Sequence, residues 1–70
     1  MESLKEIRQF IQIYDQQDKV GVADVGGKVV VVNNFGAGRD ETTYVCQTLA
    51  DAAGCVKSII FGIPIIVEMP

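Results

Sequence analysis

The dipeptide Gly26-Gly27 constrains the fold more than any other feature, because it separates two valine-rich runs of equal length. Residues 20–25 and residues 28–33 have the β-branched composition that favours extended strands. A two-residue glycine connection suits the tight hairpin turns whose central residues need positive φ. The pattern predicts a β-hairpin over these two runs. The pairs obtained by counting back from the turn are Val22 with Val31 and Ala23 with Val30.

The second strand of this hairpin is apolar on both of its faces. Its four consecutive valines, Val29 to Val32, point alternately to the two sides of the sheet. Strands of this kind are usually covered on both sides. We therefore expect one face to pack on helices and the other to need a second cover, which points to self-association.

An amphipathic helix is predicted before the hairpin, over about residues 4 to 15. Ser3 and Glu6 have the spacing of a capping box, in which each side chain satisfies an unpaired backbone N–H group. The apolar residues that follow recur at helical spacing. They are Leu4, Ile7, Phe10, Ile11 and Tyr14.

A glycine loop follows the hairpin, and the sequence predicts a second helix directly after it, over about residues 41 to 53. Asp40 is a favourable N-cap residue, and Glu41 would complement the helix dipole in the first turn. Gly54 would end the helix in a left-handed conformation. The loop itself, Gly36-Ala-Gly38, resembles the start of a dinucleotide-binding fingerprint but lacks the third glycine.

The most apolar part of the chain is Val56 to Val67, which is interrupted by Gly62-Ile63-Pro64. It is predicted to form either two short strands around a turn or one long bulged strand. The predicted order is therefore α-β-β-α-β, with a possible further strand. This order gives a single α+β domain over residues 1–70, in which two helices pack on a mixed sheet of three or four strands.

Composition and charge exclude several classes of partner. The chain is small and acidic, with a net charge of −3 over 70 residues, and its six basic residues are scattered singly. Nucleic acid is a poor partner for such a surface. The longest apolar run, Ile59 to Val67, is far shorter than the roughly twenty residues of a membrane-spanning helix. We expect a cytoplasmic protein with no membrane partner.

The two cysteines, Cys46 and Cys55, are expected to be buried free thiols in a reducing compartment. Without any histidine they cannot complete a four-ligand zinc site within one chain. If the second helix ran over residues 41 to 53, it would hold the two Cα atoms too far apart for a disulfide. An intermolecular disulfide or a redox role remains the alternative. No metal or cofactor is predicted.

The sequence offers no group of residues arranged for catalysis, and we expect a non-enzyme. With no histidine, acid–base work would fall to carboxylates, Lys, Tyr or Cys, and Asp40 and Glu41 already have structural roles. The leading hypothesis is a protein–protein interaction module that acts by binding another protein as a regulator, an inhibitor or an accessory subunit. Its self-association, most simply as a dimer, would use the apolar C-terminal strand.

Two sets of residues are candidates for these contacts. The predicted partner surface surrounds the glycine loop and consists of Phe35, Arg39 and Tyr44. The predicted self-association surface consists of Phe61, Ile63, Ile65 and Val67. Two alternatives remain open. One is a binder of small anionic ligands that uses the Gly36–Gly38 loop and Arg39. The other is a structural subunit of a larger assembly, such as a virion.

Overall fold

A computed structural model describes residues 3–63, and over this range the chain is an α+β protein with two helices and a three-stranded antiparallel sheet. The strands are adjacent in chain order, β1-β2-β3. The elements are α1 (Leu4–Ile13), β1 (Val20–Val25), β2 (Lys28–Asn33), a short 3₁₀ turn (Gly38–Asp40), β3 (Thr42–Cys46) and α2 (Leu49–Phe61).

The hairpin predicted from Gly26-Gly27 is confirmed in both bounds and register. Both glycines have positive φ, +60° and +84°, as a tight two-residue turn requires. Val22 pairs with Val31 and Ala23 with Val30.

Helix α1 is also confirmed, although it ends two residues earlier than predicted. The N–H group of Glu6 donates to the side chain of Ser3 at 3.2 Å, as the capping pattern predicts. At the other end Asp15 adopts the left-handed conformation, with φ of 55°. The N–H group of Gln16 then donates to the carbonyl of Ile11, which closes the last turn.

The predicted second helix is wrong, because Thr42–Cys46 forms strand β3. This segment is β-branched and aromatic, and it pairs with the otherwise open edge of β2, with Tyr44 opposite Val31. Asp40 does not cap a helix but ends the three-residue 3₁₀ turn. The predicted mixed sheet is therefore also wrong for the described residues, whose strands are all antiparallel.

The helix lies further along the chain, over Leu49–Phe61. It begins at Thr48, whose hydroxyl accepts from the N–H group of Asp51 at 3.1 Å. It ends at Gly62, which is left-handed with φ of 69°, so Gly54 lies inside the helix rather than at its end. Residues 56–61, predicted as a strand, are helical. The rest of that predicted strand, from residue 64 onward, lies outside the described residues.

The core lies between the two helices and one face of the sheet. Ile7 and Ile11 of α1 meet the buried valines of β1 and β2, and α2 covers the sheet with short side chains. The most deeply buried large side chains are Ile7, Val31 and Val56. Both helices therefore pack on the same side, and no described helix packs on the opposite face of the sheet.

Candidate interaction surfaces

The sheet face opposite the helices, which we call the open face, is apolar and has little charge. Side chains on β1, β2 and β3 alternate between the two faces, and the pairing aligns those of the open face in rows. Val45 and Val25 are each 59% exposed there. The open face consists of Gly21, Ala23, Val25, Lys28, Val30, Val32, Thr43 and Val45.

Phe35 belongs to this open face. It follows β2 in the loop, and its N–H group donates to the carbonyl of Lys19 at 2.9 Å, which ties the loop to the start of β1. Its ring lies over Gly21, where an added Cβ would be 4.0 Å from a ring carbon. The ring is 66% exposed. An exposed aromatic side chain on a sheet face can contribute a large apolar contact area to an interface with another protein.

The other two residues of the predicted partner surface lie elsewhere. Arg39 is exposed in the 3₁₀ turn, whereas Tyr44 is half-buried and packs against the core on the helix side. Phe35 and Tyr44 are therefore on opposite faces of the sheet. Sequence reasoning missed Val45, because it placed that residue on a helix. Thr43 and Val45 can be assigned to the open face only when residues 42–46 are known to form a strand, whose side chains alternate between the two faces of the sheet.

The glycine loop is closed by a carboxylate of the protein itself. Oε2 of Glu41 accepts from the N–H group of Gly36 at 2.8 Å. The side-chain amide of Asn34 donates to the carbonyl of Asp40 at 3.2 Å, which joins the two ends of the loop. Glu41 occupies the position that a bound anion would need, and the loop leads into a 3₁₀ turn of only three residues.

A second apolar surface lies where the C-terminal ends of the two helices meet; we call it the helix-end surface. The rings of Phe10, Tyr14 and Phe61 form a cluster with centroids 4.9 to 6.0 Å apart, in which Phe61 meets the other two rings edge-to-face and the Phe10–Tyr14 pair is tilted. Phe61 is 49% exposed and Ile63, just beyond the helix, is 55% exposed. These are two of the four residues predicted for self-association; Ile65 and Val67 lie outside the described residues.

The two thiols are closer than the sequence predicted. Cys46 ends β3 and Cys55 lies on α2, both are free and buried, and their side chains interact by a hydrogen bond. Burial, followed by repulsion from Cys46, raises the pKa of Cys55 to about 12. Burial also raises the pKa of Cys46, although the hydrogen bond from Cys55 opposes this change. Both thiols are therefore protonated near neutral pH, which makes them weak nucleophiles and poor metal ligands.

A shallow groove runs between α1 and β1. The guanidinium of Arg8 crosses it and donates to the carbonyl of Val22 at 3.2 Å. The volume of this groove is about 240 Å³, which is below the usual range of ligand pockets. Its lining comprises Arg8, Ile11, Gln12, Gln17, Val20, Gly21 and Val22. Arg8 thus covers part of the outer edge of β1.

Comparisons of the chain with protein-family models, with curated proteins and with solved structures found no match. Among residues 3–63, neither helix is long and apolar enough to cross a membrane. Within the same range, no three side chains of the metal-binding types come together. The two apolar surfaces are therefore the candidate functional sites.

Proposed function

We propose that this chain is a non-catalytic protein–protein interaction module that self-associates and acts by binding another protein. The observation that carries the proposal is that one small chain exposes two separate apolar surfaces. The open face, with Phe35 and Val45, lies on one side of the sheet, and the helix-end surface, with Phe61, lies on the other. Contiguous apolar patches on small soluble domains commonly mark contacts with other proteins.

Two surfaces on opposite sides allow two contacts at once. One surface can hold a second copy of the chain while the other holds a different protein, and neither contact blocks the other. A regulator, an inhibitor or an accessory subunit would all work in this way. The buried free thiols Cys46 and Cys55 are in keeping with a reducing compartment such as the cytoplasm.

Non-catalytic action is supported by the chemistry of the described side chains. The chain has no histidine, and its two thiols are held in their protonated form. The alternative of an anion binder is less well supported, because Glu41 already occupies the loop amide that a ligand would need.

The test is affinity capture from the native host with three forms of the chain. The wild type is compared with Val45→Asp, which places a charge on the open face, and with Ile63→Asp, which places one beside the helix-end surface. Both positions are more than half exposed, so the fold should tolerate either charge. We expect a defined protein to be captured by the wild type and lost with one variant only. Capture of nothing by the wild type, or of the same proteins by all three forms, would overturn the proposal.

A further inference from the structure

The sequence predicted self-association through Phe61, Ile63, Ile65 and Val67. Among residues 3–63, no helix or strand covers a different surface, the open face, which runs along the hairpin. The three most exposed apolar side chains of this region, Phe35, Val25 and Val45, are spread from one end of the sheet to the other. We propose that the open face is the interface of a homodimer, in which the sheets of two copies pack face to face with their strands antiparallel. This inference rests on the self-association in the proposed function and names its surface.

The charges at the two ends of the open face favour a second copy as the occupant. Lys28 lies at the hairpin end and shares the open-face side of β2 with Val30. Glu41 lies at the loop end, in extended conformation directly before β3, so alternation places it on the same side as Thr43. Alternation therefore places Lys28 at one end of the open face and Glu41 at the other, while the exposed Lys19 and Arg39 lie near the loop end, in the turn before β1 and in the 3₁₀ turn.

Two-fold symmetry turns this arrangement into complementarity. When two copies pack with antiparallel strands, the hairpin end of each meets the loop end of the other. Lys28 of one copy then faces Glu41 of its partner, and the same pair forms again on the other side of the axis. One oxygen of Glu41 is engaged by Gly36, while the other can still accept a hydrogen bond. A parallel arrangement would instead bring Lys28 of one copy close to Lys28 of the other.

The size of the open face suits a reversible dimer. Phe35, Val25 and Val45 are each more than half exposed on it, and apolar patches of roughly 300–600 Å² are often functional on small proteins. Two copies that covered patches of this size would bury roughly 1,000 Å², which is below a standard stable interface. We therefore expect dissociation in the micromolar to submillimolar range rather than an obligate dimer.

The shapes of the two ends also match. Phe35 stands above the sheet at the loop end, where it covers Gly21. At the hairpin end the turn residues Gly26 and Gly27 have no side chains, and Val25 and Lys28 flank them on the open face. Antiparallel packing brings Phe35 of one copy to the hairpin end of the other.

Sedimentation equilibrium of the purified full chain, from about 10 μM to 1 mM, tests the proposal. We expect a monomer–dimer equilibrium that Val45→Asp weakens by at least about tenfold, since it places an unpaired charge within the apolar interface. Lys28→Glu should weaken it as well, because it places two carboxylates opposite each other. The double variant Lys28→Glu/Glu41→Lys should recover only part of the loss, because it restores opposite charges but removes the hydrogen bond from Gly36 to Glu41. Circular dichroism checks that each variant is folded. If Val45→Asp does not fold, Lys28→Glu still tests the interface, because Lys28 is an exposed residue.

Ile63→Asp is the matched control, since it adds the same charge to an equally exposed apolar residue on the helix side. It should leave the dimer unchanged. A dimer lost with Ile63→Asp and kept with Val45→Asp would overturn the proposal in favour of the helix-end surface. A monomer at 1 mM would also overturn it, whether the open face is then covered by residues 64–70 or by a different protein. These measurements use the purified chain alone, so they are independent of whether the capture experiment finds a partner.

Discussion

Oε2 of Glu41 lies 2.8 Å from the backbone nitrogen of Gly36 and accepts its hydrogen bond, so the glycine loop is closed by a carboxylate of the chain itself. This single contact changes the interpretation of the most conspicuous motif in the sequence. A glycine-rich loop between a strand and a helix is a typical anion site, because free N–H groups point at the ligand. Here the loop joins two antiparallel strands, and one of its N–H groups already has an anionic partner.

We predict that Glu41→Ala loosens this loop while the fold is retained. The free energy of unfolding should fall by about 1 kcal/mol, the usual worth of one hydrogen bond, and the loss should be smaller if water replaces the carboxylate. Hydrogen exchange of the Gly36 amide, followed by NMR, measures the effect directly. Asp40→Ala is the control, since no side-chain hydrogen bond of Asp40 is found within residues 3–63. Equal protection of Gly36 in the wild type and Glu41→Ala would contradict the prediction.

We predict that Gly54→Ala stabilises the protein. Gly54 lies inside α2 with a φ that is not positive, and an added Cβ would have no atom within 4 Å. Alanine in a helix interior is better than glycine by about 0.5–1 kcal/mol. The midpoint of thermal or urea unfolding should therefore rise.

The matched control for this change is Gly62→Ala at the end of the same helix. Gly62 also has open space around it, but its φ is +69°, a conformation that alanine adopts only with strain. This variant should be destabilised by about 1 kcal/mol. If both substitutions changed the unfolding midpoint in the same direction, the assignment of Gly62 rather than Gly54 as the helix end would be wrong.

The start of α2 gives a third prediction. The hydroxyl of Thr48 accepts from the N–H group of Asp51, so Thr48→Ala should lower the free energy of unfolding by about 1 kcal/mol. Thr48→Asp, which keeps an acceptor at the cap, should restore most of that loss. Chemical denaturation of the three proteins provides the comparison. A Thr48→Asp protein as unstable as Thr48→Ala would show that the loss has another cause.

The thiol pair predicts how stability depends on pH. The pKa of Cys55 is about 12 in the folded chain, against an ordinary value of 9.0, so the unfolded chain releases this proton first. Between these two values the folded state binds more protons, and the free energy of unfolding must fall as pH rises. Below about pH 9 the contribution is complete and independent of pH.

The measurement is urea denaturation of the wild type and of Cys55→Ala at several values between pH 8 and pH 11. Groups outside the thiol pair contribute to both curves, so the difference between the two curves reports Cys55 together with its coupling to Cys46. Wild-type stability should decline more steeply than that of the variant. Parallel curves would show that Cys55 ionises in the folded chain as readily as in the unfolded one.

The hairpin could be predicted from the sequence because its determinants are local. Gly26-Gly27 can adopt positive φ where other residues resist it, and the turn then sets the register of β1 and β2. Helix α1 was predictable for the same kind of reason, since the Ser3 side chain caps it and its apolar stripe has helical spacing.

The second half of the chain was mispredicted because two local signals compete there. Asp40 followed by Glu41 looks like a helix start, and so does Thr48 followed three residues later by Asp51. Only the second pair caps a helix. The segment between them becomes a strand because β2 has a free edge, and a partner strand there satisfies backbone groups and buries Cys46.

The secondary structure of the apolar residues after Gly54 also could not be predicted from local signals alone. A short apolar run is compatible with a buried strand or a buried helix, and hydrophobicity alone does not separate them. Val56 is fully buried on a helix because α2 packs against the sheet from the same side as α1. The same error affects the predicted interaction residues. Phe35 is exposed, as the sequence predicts. Val45 is missing from the prediction because residues 41–53 are predicted to be helical.

The sequence by itself determined the α+β class, the hairpin with its register and the first helix, because caps and glycine turns act over a few residues. Only the tertiary structure decided which face of the sheet the helices cover, because that choice depends on burial summed over the whole core. It placed Val25, Val45 and Phe35 on the face that neither described helix covers, and it brought Lys28 and Glu41 to opposite ends of that face. The interaction surfaces are therefore properties of the packed protein, although every residue in them can be seen in the sequence.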